Sequence, residues 1–390
     1  MRTTDIGEAA AALAVELVAT DSVNPGLVPG AAGEAAVVAL LARRLEASGF
    51  ATHHVTPPGH PDRPSLLAVG PGQDGMPCLV LTGHVDTVGT DGMDDPFTPT
   101  LDGDRLVGRG ACDMKGGVAA LVVAAEELAR RGAPVRVVLA LVADEEDLSL
   151  GTEAVLAALP GLGLAPAAAL VAEPTWLART ASLRGYAVVE IGLTGRAAHS
   201  SQPEQGVNAV AHLGRLLTAV EERGRHVATS GGSLMVTVAS GGESPFVLGR
   251  TARAVVERRT VPGEDAATAL AEVEEVLDGM RAEDPAVDAH ATLVVAREAW
   301  RLDATGPAAG LADALDDALA AEGVEQPPPL DAPYWMEAPL WQAAGVPALV
   351  CGPAGGGLHA ADEWLDLDQV RRFTRALVAA AEVWGSRRAD

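Results

Sequence analysis

The sequence places a strongly apolar segment directly before a cluster of acids. Eight of the nine residues from 135 to 143 are apolar, and Asp-Glu-Glu-Asp follows at 144–147 without a break. An apolar run of this length, rich in branched side chains, predicts a fully buried strand. Four carboxylates at one strand end repel one another. A fold that keeps them together therefore needs a compensating positive charge at that place.

The first half of the chain alternates between short apolar strands and alanine-rich helical segments. This alternation predicts an α/β fold with a mostly parallel central sheet flanked by helices. The first twenty residues carry acids within an apolar pattern, which predicts an amphipathic helix and not a signal peptide. Further helices are predicted at 35–47, 117–131 and 151–159, and strands at "PSLLAV", "PCLVLTGH", "RVVLALVA" and "AAALVAEP".

The pattern changes near residue 184. Alternating strands and two longer helices, the second near 264–284, predict an α+β module of about 110 residues. The α/β pattern then returns, with a helix near 308–321, the strand "VPALVCGP" and a final helix after Asp366. We therefore predict a larger domain formed by residues 1–183 and 293–390, into which a smaller domain at 184–292 is inserted.

Composition narrows the classes of partner. The chain has 53 acidic and 28 basic residues, a formal charge of −25, which argues against nucleic acid or an anionic membrane as partner. Three cysteines are too few, and odd in number, for a disulfide framework. No apolar run is long enough to span a bilayer. We expect a cytoplasmic protein.

Side chains that can bind a metal follow several of the predicted strands. His84 and Asp86 end one strand, Asp113 lies in a glycine-rich turn, Glu173 ends another strand, and His359 lies near the C-terminus. Each alone has a structural explanation; Asp113, for example, can cap the next helix. Sites in open α/β sheets form at the carboxyl ends of strands, and mixed His, Asp and Glu ligands suit zinc. Together these residues predict a metal site.

Seven motifs follow one another along the chain: "TGHVDTV", "GRGACDMKGG", "DEEDLSLGT", "VAEPT", "GRAAHSSQPEQGVNA", "ERRTVPGE" and "GPAGGGLHAADEW". In order and spacing they resemble the dinuclear zinc amidohydrolases and metallopeptidases, a family that includes acetylornithine deacetylase, succinyl-diaminopimelate desuccinylase, aminoacylase and glutamate carboxypeptidase. The resemblance covers about residues 5–380. It implies a zinc-peptidase-like catalytic domain with an inserted lid and dimerisation domain.

The resemblance implies two divalent metal ions per chain. His84 and Glu173 are expected to bind one ion, Glu146 and His359 the other, and Asp113 to bridge both. Two nearby cations need a shared anionic ligand to screen their repulsion, and a carboxylate can supply it. Zinc is the expected metal, with cobalt and manganese as alternatives.

The resemblance also implies the roles of the remaining acids. Glu145 is expected to be the general base that activates the attacking water. Because neighbouring side chains diverge, only one of Glu145 and Glu146 is expected to face the metals. Asp86 is expected to hold the ring of His84 through its second nitrogen, and the peptide bond after Asp113 is expected to be cis.

Three further residues are expected to contact the substrate. By the resemblance, His199 reaches across a homodimer to stabilise the tetrahedral oxyanion, and Arg259 binds the carboxylate of the substrate, a task suited to a planar guanidinium. Gly356 is expected to line the substrate site. The implied substrate is a small N-acyl amino acid or a short peptide.

The motifs depart from the family pattern on the substrate side. Phe246 stands where many relatives have an asparagine, which removes a hydrogen-bond donor, and Gly249 replaces a proline. Glu257 and Glu337 stand where aspartate is common. None of the expected metal ligands is changed, so the sequence predicts the chemistry better than the substrate.

These observations favour a zinc-dependent hydrolase of the amide bond in an N-acyl amino acid, with deacetylase as the preferred subtype. A glutamate at position 173 is typical of the deacylases and carboxypeptidases of the family. A carboxypeptidase or dipeptidase on the same scaffold is the alternative. A catalytically silent metal-binding protein is a third interpretation, and the presence of Glu145 argues against it.

Overall fold

The computed structural model describes residues 5–73, 75–265 and 267–389. These described residues form two compact units: the first comprises those within 1–181, 302–330 and 337–390, and the second those within 182–301 and 331–336. The elements in chain order are α1 (Ile6–Val18), α2 (Ala35–Ala47), β1 (Ala51–Val55), β2 (Ser65–Val69), β3 (Cys78–His84), β4 (Thr100–Asp102), β5 (Arg105–Val107), α3 (Gly116–Arg131), β6 (Arg136–Val142), α4 (Leu150–Ala158), β7 (Ala168–Val171), β8 (Thr180–Leu183), β9 (Gly185–Thr194), α5 (Ala209–Val227), β10 (Ser233–Gly241), β11 (Thr251–Thr260), α6 (Ala267–Glu283), β12 (Asp288–Arg297), β13 (Trp300–Arg301), α7 (Pro307–Ala321), β14 (Leu330–Ala332), α8 (Ala338–Ala343), β15 (Ala348–Val350), β16 (Gly355–Gly356), β17 (Trp364–Asp366) and α9 (Leu367–Ala389).

A six-stranded sheet forms the centre of the first unit, in the order β1-β2-β6-β3-β7-β15. The pairs β6/β3, β3/β7 and β7/β15 are parallel, and β2 runs in the direction opposite to the other five strands. Every residue of β2, β3 and β7 is buried, as expected for strands covered on both faces. The predicted mostly parallel α/β sheet is confirmed.

Helices of the first unit pack against this sheet. Alternate strand residues, such as Leu79 and Leu81 of β3, share one hydrophobic core with residues of α1, α2, α3, α7 and α9. Close approach is possible because small residues line the contacts. At Gly117, an added Cβ would lie 2.2 Å from the carbonyl oxygen of Ala172, so glycine lets the start of α3 lie against the chain just after β7.

The second unit has a four-stranded antiparallel sheet, in the order β10-β11-β9-β12. Residues of α5 and α6 share a core with alternate residues of β9, such as Val189 and Ile191. Most of the edge strand β10 is exposed. The inserted domain predicted at 184–292 corresponds in sequence to most of this unit.

The predicted elements lie close to the observed ones. Helix α2 has the predicted bounds, and α4 begins and ends one residue earlier than predicted. Residues 1–4 of the predicted N-terminal helix, and Ala266 of the helix predicted near 264–284, lie outside the described residues. Strand β1 was not predicted, since its sequence "ATHHV" lacks apolar alternation and is half-exposed. Within the described part of the chain, no helix is long and apolar enough to cross a membrane.

Candidate metal centre

The ends of three neighbouring parallel strands bring the candidate ligands together. Strand β3 lies between β6 and β7, and its last residue, His84, pairs with Val142 at the end of β6. On the other side, Thr82 of β3 pairs with Val171, the last residue of β7. The segments that leave β6 and β7 therefore start beside His84. Glu173 lies two residues beyond Val171, so its side chain enters the same region.

One half of the cluster surrounds His84. Its Nε2 atom lies 3.0 Å from Oδ1 of Asp113, and 4.0 Å from both Oε2 of Glu145 and Oε1 of Glu173. The side chain of His84 is fully buried, and that of Glu173 is 5% exposed. Three carboxylates therefore approach one imidazole nitrogen in a site with little access to water.

The other half of the cluster surrounds His359, which lies between the short strands β16 and β17. Its Nε2 atom is 3.2 Å from Oδ2 of Asp113 and 3.0 Å from Oε2 of Glu146. The two oxygens of Asp113 thus face two different histidines, Oδ1 towards His84 and Oδ2 towards His359. This is the arrangement expected of a carboxylate that lies between two cation positions.

The donor set fits a divalent cation. The ligand atoms of His84, Glu145 and Glu173 lie within 4.8 Å of one another, and so do those of His84, Asp113 and Glu146. Among the residues that the structure describes, Oε1 of Glu146 and Oε1 of Glu173 are buried without a hydrogen-bond partner. Leaving a buried carboxylate oxygen unpaired costs free energy, and a cation at this place would remove that cost.

Crowding of charge in this site changes its protonation equilibria. Burial raises the pKa of Glu145 well above its usual range, and the charge of Glu173 raises it further. Burial opposes the charged form of His84, but its hydrogen bond to Asp113 and the surrounding acids still raise its pKa well above the usual value. Hydrogen bonds, that to Asp113 first, raise the pKa of His359 to about 10. A cation would relieve this repulsion and would need unprotonated ligands.

The ring of His84 is held by backbone and not by a carboxylate. Its Nδ1 atom lies 3.0 Å from the carbonyl oxygen of Asp86, whereas Oδ1 of that residue is 3.7 Å away. A carbonyl oxygen only accepts, so Nδ1 carries a proton, and Nε2 is the ring nitrogen that could bind a cation through its lone pair once it is unprotonated. The resemblance implies that Asp86 holds this nitrogen, and the atom of Asp86 that contacts it is the backbone carbonyl oxygen. The carboxylate oxygens of Asp86 accept hydrogen bonds from the backbone N–H groups of Glu145 and Glu146, both at 3.2 Å.

Both glutamates after β6 reach the cluster, which contradicts the expectation that only one of them faces it. Oε2 of Glu145 lies near His84, and Oε2 of Glu146 lies near His359. Alternation of side chains applies to an extended strand. The strand ends at Val142, and Asp144 has a φ of 70°, so the chain turns before the glutamates.

The segment around Asp113 is fixed by a buried glutamate that the sequence did not single out. Oε1 of Glu363 accepts hydrogen bonds from the N–H groups of Cys112 and Asp113, at 2.9 and 3.0 Å. Its Oε2 accepts from Gly110 N–H at 2.9 Å and from the guanidinium of Arg109 at 2.7 Å. The peptide bond after Asp113 is cis, as the resemblance implies. Its place in the sequence was the available signal, because Glu363 lies in the motif "GPAGGGLHAADEW" together with the candidate ligand His359.

The residues expected to contact the substrate are divided between the units. Gly356, in β16 of the first unit, pairs with Trp364 and is half-buried. His199 is in the second unit, where it is exposed, and its Nδ1 accepts a hydrogen bond from Ser201 N–H at 3.2 Å and lies 2.8 Å from Ser201 Oγ. A ring nitrogen that accepts from backbone N–H is unprotonated, so Nε2 of His199 carries the proton and can donate.

Arg259, also in the second unit, already has a partner. Its guanidinium lies 2.6 Å from Oε1 of Glu257 on the same strand and 5.4 Å from the ring centre of Tyr186. The side chain is 32% exposed, so it can still contact a ligand. Phe246 is 68% exposed. Its backbone carbonyl oxygen accepts a hydrogen bond from the N–H group of Ser200 at 2.9 Å, so Phe246 lies beside the segment that carries His199.

Comparison with known proteins identifies the family. The profile described as peptidase family M20/M25/M40 matches residues 80–383, which include every candidate metal ligand. The chain belongs to this family. The resemblance predicted from the motifs is therefore confirmed, and so is the prediction of a hydrolase that acts on C–N bonds.

Two curated relatives illustrate the similarity of this M20 family member. It is 29% identical over 352 residues to the acetylornithine deacetylase of Myxococcus xanthus, a match that covers 86% of this chain and 89% of that protein. It is 32% identical over 217 residues to the succinyl-diaminopimelate desuccinylase of Zymomonas mobilis. That second match covers 54% of this chain and only about half, 55%, of the relative.

Solved structures share the fold of this M20 family member. A tripeptidase from Staphylococcus aureus superposes with a TM-score of 0.80 at 15% identity, covering 97% of this chain and 99% of that one. An M20 family metallo-carboxypeptidase from Sulfolobus solfataricus gives a TM-score of 0.77 at 16% identity, with the same coverage. At these identities the likeness concerns the fold, which agrees with the α/β class predicted from sequence.

Proposed function

We propose that this protein is a hydrolase that depends on two divalent metal ions, with zinc preferred, and cleaves the amide bond of an N-acyl amino acid. One observation carries the proposal: the two carboxylate oxygens of Asp113 face two different histidines, each accompanied by further acids. A single buried carboxylate shared in this way matches the needs of two neighbouring cations.

In this proposal His84 and Glu173 hold one ion, Glu146 and His359 hold the other, and Asp113 contacts both. The unpartnered oxygens of Glu146 and Glu173 support this assignment. When bound, such ions polarise a carbonyl group and lower the pKa of water. Asp86 contributes indirectly, because its backbone carbonyl fixes the tautomer of His84.

Glu145 acts as the general base. Its carboxylate lies within the cluster, 4.0 Å from Nε2 of His84, and it is not needed as one of the five ligands. In this role the carboxylate accepts a proton from the attacking water and then returns it to the departing nitrogen.

His199 supplies the donor for the oxyanion. Its interaction with Ser201 leaves Nε2–H as the free donor, which is the form needed to stabilise developing negative charge. We propose that it serves the site of a second copy in a homodimer formed through the second unit, whose edge strand β10 is exposed.

Three cysteines that remain free thiols suit a cytoplasmic location.

Arg259 of the second unit and Gly356 of the first unit are each proposed to bind the substrate. The exposed part of the Arg259 guanidinium can bind the carboxylate of the substrate once its pairing with Glu257 is exchanged. Because position 246 holds a phenylalanine and not an asparagine, one side-chain hydrogen bond to the substrate is missing. A deacetylase acting on an amino acid is supported by the long match to acetylornithine deacetylase of Myxococcus xanthus.

A hydrolysis screen tests the proposal. Purified protein supplied with Zn²⁺, Co²⁺ or Mn²⁺ is assayed on N-acetyl and N-succinyl amino acids, dipeptides and peptides ending in glutamate, with Glu145→Gln as the blank. Preferred release of acetate would support the deacetylase. Preferred cleavage of dipeptides or terminal glutamate would replace it by a peptidase, and metal binding without turnover on any substrate would favour a silent protein.

A further inference from the structure

A buried arginine close to the metal centre has no role in the chemistry described above. Arg63 lies in the loop before β2, and its side chain is 6% exposed. Its guanidinium forms a fork with Glu34, in which Nε lies 3.0 and 2.9 Å from the two carboxylate oxygens and Nη2 lies 2.6 Å from Oε1. The side chain of Glu34 is fully buried. A cation buried this completely is retained only with several partners.

The same guanidinium reaches towards the segment after β6. Nη2 of Arg63 lies 2.8 Å from Oδ1 of Asp144 and donates to Oδ1 of Asn24 at 2.9 Å. Asn24 is fully buried, and its oxygen also accepts from Gly26 N–H at 2.8 Å. Because Arg63 and Gly26 both donate to that oxygen, the amide of Asn24 has one orientation, with its NH₂ group directed away from Arg63.

The NH₂ group of Asn24 continues the network to the centre itself. It donates to Oδ2 of Asp86 at 2.8 Å and to Oδ1 of Asp144 at 3.2 Å. The carboxylate of Asp86 in turn accepts the N–H groups of Glu145 and Glu146. Two routes therefore lead from Arg63 to the glutamates, one through Asn24 and Asp86 and one directly through Asp144.

We propose that Arg63 is a positioning residue that holds the Glu145–Glu146 segment in place. Through the fork with Glu34 it is anchored outside the centre, and through Asn24 and Asp144 it fixes the backbone from which the base and one ligand extend. This inference rests on the metal-binding part of the proposed function. Partners of metal ligands that lie outside the coordination sphere typically affect metal affinity or activity by about 10–100-fold.

A second role for the same cation predicts the opposite result. If Arg63 only balanced negative charge, its removal would make the site more negative and would tighten the binding of a divalent cation. If it positions the segment, its removal loosens the ligand geometry and weakens binding. Lysine separates the two roles further, since it keeps the charge but lacks the planar fork.

The experiment measures Co²⁺ affinity by calorimetric titration, together with kcat and KM, for the full chain and its variants. We expect Arg63→Met to weaken Co²⁺ binding by about 10–100-fold and to lower kcat more than it raises KM. We expect Arg63→Lys and Asn24→Leu to fall between Arg63→Met and the unchanged chain. Arg44→Met is the matched control, because Arg44 makes a similar fork with Glu126 away from the centre.

Folded Arg63→Met protein with unchanged or tighter Co²⁺ binding and unchanged kcat would overturn the inference. If that variant does not fold, Arg63→Lys decides, and wild-type affinity and turnover in it would overturn the inference as well. Weaker Co²⁺ binding in the Arg63 variants, with no substrate turned over by the unchanged chain, would instead contradict the proposed function and leave the positioning role standing.

Discussion

The metal centre of the first unit and the candidate substrate residues of the second unit differ in how their polar groups are satisfied. In the centre, the acids and His84 are largely buried, whereas the side chain of His359 is 53% exposed. One buried oxygen of Glu146 and one of Glu173 have no hydrogen-bond partner among the described residues. In the second unit, His199 is exposed and interacts with Ser201, and Arg259 is paired with Glu257. A cation could satisfy the unpaired oxygens of the first arrangement, whereas the polar groups of the second have partners within their own unit. The residues that could hold a metal all lie in the first unit, so changes in the second unit should leave metal binding intact.

Loss of a ligand should give the largest effect and should affect only the first of these two regions. His84→Ala and His359→Ala each remove one nitrogen from the cluster, so at least one ion per chain should be lost and turnover should fall to the background. Metal analysis by mass spectrometry, before and after exposure to a chelator, measures this. His226→Ala, an exposed histidine of α5, is the control. Retention of two ions in both ligand variants would refute the assignment.

Removal of the base should separate chemistry from metal binding within the first region. Glu145→Gln keeps the size of the side chain but cannot accept a proton, so kcat should fall by about 10²–10⁴-fold. Metal content should remain that of the unchanged chain, because five ligands are still present. Near-native kcat in this variant would show that another group is the base.

A change at His199 should reduce turnover without affecting the metals. Loss of one oxyanion donor costs about 3 kcal/mol, or roughly a hundredfold in kcat. Ser201→Ala should have a smaller effect, since the backbone N–H that fixes the ring remains. Loss of bound metal in His199→Ala would contradict the independence of the two regions.

Mixing the inactive His199→Ala and Glu145→Gln chains tests whether the second unit serves a partner. In a mixed dimer, one of the two sites combines an intact Glu145 with a His199 from the other chain, so part of the activity should return. If subunits exchange, as followed by a label on one variant, and no activity returns, each chain uses its own histidine.

The smallest effect is expected at Phe246. Phe246→Asn introduces a side-chain donor on an exposed loop, and one hydrogen bond contributes about 0.5–1.5 kcal/mol. We expect kcat/KM for an N-acyl amino acid to rise a few-fold, with metal content and thermal stability unchanged. A fall in kcat/KM would indicate that the aromatic ring itself contacts the substrate.

The sequence predicts the candidate metal centre of the first unit in more detail than the candidate substrate residues of the second unit. The strand ends of the metal centre were predictable because apolar runs such as 135–143 fix the strands, and the residues after them must meet at one edge of a parallel sheet. The turn at Asp144, which directs both glutamates inwards, was not predictable because alternation applies only to extended chain. The backbone carbonyl of Asp86 likewise carries no sequence signal.

The network around Arg63 shows why contacts between distant loop residues could not be predicted from the sequence. Asn24 and Arg63 lie in loops, and their partners are as far as 120 positions away in the sequence. Neither residue belongs to a periodic pattern, so only the folded chain reveals that they touch. The exposure of His199 depends on contacts in the folded chain that a short sequence motif does not encode. The same is true of the pairing between Arg259 and Glu257.

The hydrogen bonds of Glu363 to the Asp113 segment set the order in which the protein can mature. They join residues 250 positions apart, and Glu363 is made 190 residues after Glu173. At about 5–20 residues per second, a ribosome needs roughly 10–40 s to cover that distance. During that time Asp113, Glu146 and Glu173 have been synthesised. Glu363, which fixes the Asp113 segment, and the second histidine, His359, have not. The complete set of candidate ligands therefore exists only after the ribosome has passed residue 359, so metal loading of this candidate centre would follow that point.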